Sequence, residues 1–154
     1  MAPANLGRTK HTVLVVDDSP EMLRYLRLLL ELDSYTVETA GSGGEAVQRL
    51  QRESLPDVVL LDLQMPDMDG LATLQYLRHF WPDLKVILCS AIDDPEKIRQ
   101  ALLLGAQAYV VKPVRHLYLS AAIERCLASR APATIAEMPL TPGSGFNRPR
   151  AGRD

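Results

Sequence analysis

Three carboxylates, a hydroxyl and an amine stand at the ends of four short apolar runs. Asp17 and Asp18 close Thr12-Val13-Leu14-Val15-Val16, and Asp62 closes Asp57-Val58-Val59-Leu60-Leu61. Ser90 closes Lys85-Val86-Ile87-Leu88-Cys89, and Lys112 follows Ala108-Tyr109-Val110-Val111. Carboxylates crowded at one place repel each other and stay ionised cheaply only beside a cation. A hard, oxygen-seeking ion such as Mg2+ answers that need and can bridge to a phosphoryl oxygen. Lys112 offers a second cation and Ser90 a hydrogen-bond donor, while an aspartate so placed can itself act as nucleophile and become an aspartyl-phosphate. The chemistry on offer is therefore Mg2+-assisted phosphoryl capture. Each residue alone has a plainer role. Asp at a strand end is a common turn former or cap, Ser90 a loop hydroxyl, Lys112 a solvated charge, and Tyr109 a core aromatic. The joint placement favours the chemistry.

These residues meet only if the runs are neighbouring strands. Runs this short and rich in Val, Leu and Ile are expected in a parallel sheet buried on both faces. Between them, apolar positions recur at helical spacing. Ser19 is an expected N-cap, with Pro20 at the first helical position and Glu21 in the first turn. Tyr35 to Ala40 alternates as a second strand, Gly41 to Gly44 is expected to be a turn, and Pro56 breaks the helix that follows. Leu71–Phe80, Asp94–Leu104 and Arg115–Ser129 supply three further helices, with Gly105 closing the middle one. Strand and helix alternate five times, which gives an α/β fold with helices on both faces of the sheet. Ligands in such sheets bind outside the carboxyl ends of the strands. The flavodoxin-like, doubly wound order 2-1-3-4-5 sets the four polar strand ends side by side, so the chemistry favours that order.

Composition sets outer bounds. The 154 residues, 47% of them apolar, suit one domain with its own core. A net charge of −2 gives the whole chain no reason to bind nucleic acid. Cys89 and Cys126 lie in no metal-binding spacing, and Cys89 sits in a strand run as a buried thiol, consistent with a reducing cytoplasm. Residues 1–10 are expected to be a flexible arm and lack the apolar core of a secretory signal, and no stretch is long and apolar enough to span a membrane. Residues 130–154 carry Pro132, Pro139, Pro142 and Pro149 among scattered apolar residues, and are expected to be a disordered tail or linker. They are too short for a DNA-binding module. His11, His79 and His116 lie away from the polar strand ends.

The motifs resemble those of the receiver domain of two-component response regulators. The acidic pair Asp17-Asp18, the run Asp62-Leu63-Gln64-Met65-Pro66-Asp67-Met68-Asp69-Gly70, Ser90-Ala91, and Gly105-Ala106-Gln107-Ala108-Tyr109-Val110-Val111-Lys112-Pro113 occur in the family's order. The resemblance covers roughly residues 12–129 and sets the receiver domain at 11–129. It implies that Asp62 accepts a phosphoryl group from a histidine kinase or phosphotransfer protein. It implies Mg2+ on Asp18 and Asp62, on Asp17 through a water, and on the Gln64 backbone carbonyl. Ser90 would sense the phosphoryl group, Lys112 would pair with it, and Tyr109 would turn inward as the aromatic switch. Lys112-Pro113 would be cis. The chain would be a phosphoacceptor and not an enzyme acting on other substrates. It would reside in the cytoplasm and signal to an output protein or domain, with a homodimer through the helix-four to helix-five face left open. Arg24, Tyr25 and Arg27 would fall near the kinase-docking surface. Ile92, two residues after Ser90, offers no group to position water, so slow dephosphorylation is expected. The alternative is a non-phosphorylated pseudo-receiver that only docks partners. A phosphatase of similar topology usually carries a second Asp two residues after its nucleophile, where this chain has Gln64.

Overall fold

The computed structural model describes residues 10–52, 54–66 and 70–129. The expected tail, nearly all of the N-terminal arm and the Asp67-Met68-Asp69 part of the Asp62 loop lie outside them. Five strands and five helices alternate. They are β1 (Thr12–Val16), α1 (Pro20–Leu32), β2 (Thr36–Ala40), α2 (Gly43–Arg52), β3 (Val58–Leu61), α3 (Gly70–Phe80), β4 (Val86–Ser90), α4 (Pro95–Leu103), β5 (Ala108–Val111) and α5 (His116–Ala128). All strand pairs are parallel, and the sheet order is β2-β1-β3-β4-β5.

The strands are apolar on both faces because helices cover both. Along β1, Leu14 and Val16 enter one core cluster while Val13 and Val15 enter the other. β3 and β4 alternate in the same way, Val59, Leu61, Val86 and Leu88 against Val58, Leu60, Ile87 and Cys89. The first cluster takes Ala46 and Leu50 of α2, Leu74 and Leu77 of α3 and Ala101 of α4. The second takes Leu26 and Leu30 of α1 with Leu119, Ile123 and Cys126 of α5. A continuous apolar run is thus two interleaved period-two patterns.

Local chemistry sets the helix ends. The Ser19 hydroxyl accepts from the Met22 amide, and Asp94 accepts from that of Glu96. Both caps precede a proline in the first turn, where a missing N–H costs nothing. Gly105 follows α4 with φ +102°, a left-handed conformation that favours glycine. One expectation is corrected. Gly43 and Gly44 belong to α2 and not to a turn before it. Glycine is a poor helix former, but Ser42 accepts from the Glu45 amide and the Glu45 carboxylate reaches back to the Gly41 amide. This capping-box arrangement, reaching one residue further back than usual, carries the helix start over two glycines.

Strand order and register place the polar ends. Val16 pairs with Leu61, so Asp17 and Asp62 leave adjacent strands at one level. Ser90 pairs with Val111, one residue before Lys112. The chain crosses from one side of β1 to the other between β2 and β3, so the β1–β3 crevice is the switch point where such sheets bind ligands.

Candidate metal and phosphoryl site

Asp17, Asp18 and Asp62 bring one carboxylate oxygen each to within 4.8 Å of one another. Asp17 is 2% exposed and Asp62 5%, whereas Asp18 is open to solvent. The Lys112 ammonium donates to Asp17 Oδ2 at 2.7 Å and to Asp62 Oδ2 at 3.3 Å. Burial by itself would lower the Lys112 pKa. The hydrogen bond to Asp17 and the charges of Asp62 and Asp17 outweigh it and hold the group above its ordinary value. Three carboxylates thus face one ammonium, and two of the three are largely withdrawn from water. This donor set of hard oxygens with an uncompensated negative charge fits a divalent cation such as Mg2+.

The loops carrying these groups share a local device. Asp17 Oδ1 accepts from the Ser19 amide at 2.9 Å, and Asp62 Oδ1 from the Gln64 amide at 3.1 Å. Ser90 Oγ accepts from the Ile92 amide at 3.3 Å. In each case a strand-end side chain caps the amide two residues on, as short polar side chains do in turns. The turn-forming role weighed against the chemical one is therefore fulfilled as well, and it fixes the second carboxylate oxygen of Asp17 and Asp62 toward Lys112.

Gly70 makes the return of the Asp62 loop possible. A Cβ there would lie 2.3 Å from the Leu63 Cα and 2.5 Å from the Asp62 carbonyl oxygen, both backbone atoms. The Gly70 amide donates to the Leu63 carbonyl at 2.9 Å, bringing the start of α3 back against the chain that follows Asp62. The Lys112-Pro113 peptide is cis, as the resemblance implies.

Ser90 is fully buried, and Tyr109 is 7% exposed. The Tyr109 ring already lies inward in this structure, its hydroxyl donating to the Ile92 carbonyl at 2.6 Å. Burial pushes the Tyr109 hydroxyl up to about 12, with the Ser90 side chain acting in the opposite direction. Cys89, in the second core cluster, is pushed up to about 12 by burial, and Cys126 to about 11. Both are free, buried thiols held in their unreactive protonated form. Gln64 is exposed, with its amide committed to Asp62.

Two contacts escaped the sequence reading. The Tyr25 hydroxyl donates to the Val114 carbonyl, so α1 steadies the loop after Lys112-Pro113. His116 Nε2 lies 3.0 Å from both Asp33 oxygens, and the Ser120 hydroxyl also donates to Asp33, joining the end of α1 to the start of α5. Asp33 receives both donors, so this is a clasp and not a relay from serine through histidine.

A sheet of order 2-1-3-4-5 with acidic groups, a hydroxyl and a lysine at its carboxyl ends defines the class of doubly wound α/β domains with a polar site at the strand ends. Residues 13–124 match the family model described as response regulator receiver domain. The chain belongs to that family. It is 39% identical over 141 residues to the transcriptional regulatory protein KdpE of Mycobacterium tuberculosis, covering 92% of this chain and 62% of that one. It is 36% identical over 134 residues to the transcriptional regulatory protein ZraR of Escherichia coli, covering 87% of this chain and 30% of ZraR. The chain thus spans less than two thirds of the length of these curated relatives. Among solved structures, a CheY-like receiver domain from Methanospirillum hungatei matches with TM-score 0.73 at 30% identity, over 77% of this chain and 94% of that one. CheY in the CheX-CheY-BeF3-Mg2+ complex from Borrelia burgdorferi matches with TM-score 0.73 at 27% identity, over 77% and 90%. Among the described residues, no helix is long and apolar enough to cross a membrane.

Proposed function

We propose that this receiver domain accepts a phosphoryl group on Asp62 in a Mg2+-dependent reaction. The observation that carries the reading is the buried Asp62 carboxylate at the end of β3, beside Asp17, Asp18 and Lys112. An Asp62 oxygen attacks phosphorus, a P–O bond to Asp62 forms, and the P–N bond of a partner's phosphohistidine breaks. The departing imidazole keeps the electron pair and takes a proton. Asp18 and Asp62 would hold the Mg2+, with Asp17 acting through a water and the Gln64 carbonyl as a further ligand. When bound, the ion would neutralise carboxylate charge and supply Lewis-acid stabilisation to the transferring phosphoryl group.

Lys112 moves from its carboxylate partners to a phosphoryl oxygen, and Ser90 donates to another. The modification adds about −1.5 to −2 charge and three acceptors. Lys112 and Ser90 stand on adjacent strands, so capturing both oxygens draws two loops together and biases the Tyr109 face between two states. Tyr109 is the switch residue. The Borrelia neighbour bears BeF3 and Mg2+ in its complex, which supports the same ligand chemistry here. The partners are a histidine kinase or phosphotransfer protein upstream and an output protein or domain downstream, in the cytoplasm. This chain makes no nucleic-acid contact of its own and catalyses only its own phosphorylation and dephosphorylation.

Intact-mass spectrometry after incubation with acetyl phosphate tests the proposal. The native chain should gain one phosphoryl mass only with Mg2+ present, and Asp62→Asn should gain none. No gain in folded, metal-bound native protein would favour the docking-only pseudo-receiver.

A further inference from the structure

The opposite pole of the sheet carries a cleft that the phosphoryl chemistry does not use. It has a volume of about 440 Å3 and is lined chiefly by Leu55, Pro56, Phe80, Trp81, Leu84 and Leu127. That volume lies within the roughly 300–1,000 Å3 of ligand pockets. Phe80 is 55% exposed and Leu55 48%. Tyr76, Phe80 and Trp81 form a contiguous aromatic group, with ring centroids 4.5 Å apart for Tyr76–Phe80 and 6.2 Å for Phe80–Trp81. The walls are tied in place. Arg78 Nη1 donates to the Pro82 carbonyl, the Leu84 amide to that of Trp81, and Lys85 Nζ to that of Leu127. The lining also holds Asp57 and Asp83 with the basic groups His11 and Lys85; Asp57 is already engaged by the Thr12 amide at 2.8 Å and by His11 Nδ1 at 3.5 Å, which leaves Asp83 as the acidic group open to a cation.

An open aromatic groove with fixed walls suits an extended proline-rich segment, whose rigidity lowers the entropy lost on docking. This chain carries two prolines at the spacing such segments use. Pro139-Leu140-Thr141-Pro142 has P-x-x-P spacing, and Arg148, Arg150 and Arg153 follow it. The segment is tethered beside the groove, because Leu127 in the last turn of α5 is part of the lining. The stretch from Ser129 to Pro139 reaches at most about 33 Å when extended, enough to turn back across one pole of a small domain. Such a short tether raises the local concentration of the motif to the order of millimolar, so a weak docking mode suffices.

We propose that the chain's own Pro139–Pro142 segment docks in the Phe80–Trp81 groove, with the arginines that follow it facing Asp83. A linker needs no fold of its own to present four residues in this way. The docking is independent of phosphorylation at Asp62 and fixes where the chain leaves the domain.

Trp81 is the single tryptophan of the chain and lies in the groove, so its fluorescence reports occupancy directly. The full chain is compared with a full-length P139A/L140S/P142A variant by emission maximum and acrylamide quenching. The variant should show a red-shifted emission and a larger quenching constant. Phe80→Ser in the groove should remove the difference between native and altered tails, a non-additivity expected only if the two regions touch. Identical emission and quenching in the native and altered chains would overturn the proposal. Shielding of Trp81 that grows with protein concentration and persists in the altered tail would also overturn it, assigning the groove to a second copy of the chain.

Discussion

Two aspartate clusters of this domain use the same chemical groups to opposite ends. At the carboxyl ends of β1 and β3, three carboxylates cluster beside one ammonium that pairs with Asp17 and Asp62, and these two are withdrawn from water. Between α1 and α5, the single carboxylate of Asp33 receives both His116 and Ser120. The first carries more negative charge than its one ammonium neutralises; the second sets a single carboxylate between two donors. The contrast is one of stoichiometry. A matched cluster joins two helices, whereas a mismatched one suits a cation and, on the proposed function, a modification that redistributes its charge. The sheet tolerates the mismatch because its large apolar core elsewhere outweighs the local cost.

Substitutions can break or sharpen this contrast. The largest effect is expected from Lys112→Met, which keeps the stem but removes the cation and strands Asp17 and Asp62. Breaking a buried pair on one side costs about 3 kcal/mol, so urea unfolding of metal-free protein should show a loss of that order, partly restored by Mg2+. A loss no larger than that of an exposed pair would mean the carboxylates are not truly withdrawn from water. Asp62→Asn should act the other way in metal-free buffer. Relief of like-charge crowding should leave stability unchanged or raise it by about 1 kcal/mol, while the rise in Tm on adding Mg2+ shrinks. A variant that responds to Mg2+ as fully as the native chain would place the ion elsewhere.

Asp33→Ala removes the matched cluster. Because its partners are partly solvated, the loss should stay under about 1 kcal/mol and be independent of Mg2+. Any change in Mg2+ affinity would show the two clusters to be coupled. The smallest effect at neutral pH is that of Tyr109. Its hydroxyl titrates higher in the folded chain, near 12, than the ordinary 10.0. The proton is therefore held more firmly in the folded state, and the associated stability is intact below pH 10 and lost as pH rises from 10 toward 12. Stability curves of the native chain should fall more steeply over that window than those of Tyr109→Phe, and coincident slopes would contradict the buried hydroxyl.

The difference between the clusters also explains what was legible in the sequence. Asp17, Asp18, Asp62, Ser90 and Lys112 each end an apolar run, so strand periodicity and the parallel order together bring them to one edge. The Asp33–His116–Ser120 clasp gave no such signal. Its members come from a helix end and the first turns of another helix, and their meeting depends on how α1 and α5 lie on the sheet. His116 read as a scattered residue for that reason. The start of α2 is hidden in the sequence because glycine is a poor helix former, while the deciding interaction is the cap between Ser42, Glu45 and the Gly41 amide. Tyr109 was recognisable as a strand residue, but its inward placement rests on the Ile92 carbonyl, a backbone group with no side-chain signature.

The central claim, that Asp62 among three neighbouring carboxylates is the one phosphorylated, is tested most directly by borohydride trapping. Acetyl phosphate with Mg2+ loads the chain, sodium borohydride reduces the acyl phosphate to homoserine, and tandem mass spectrometry of peptides locates it. The account predicts homoserine at position 62 and nowhere else. Homoserine at position 17 or 18, or a phosphoryl mass gain that yields no homoserine, would contradict it.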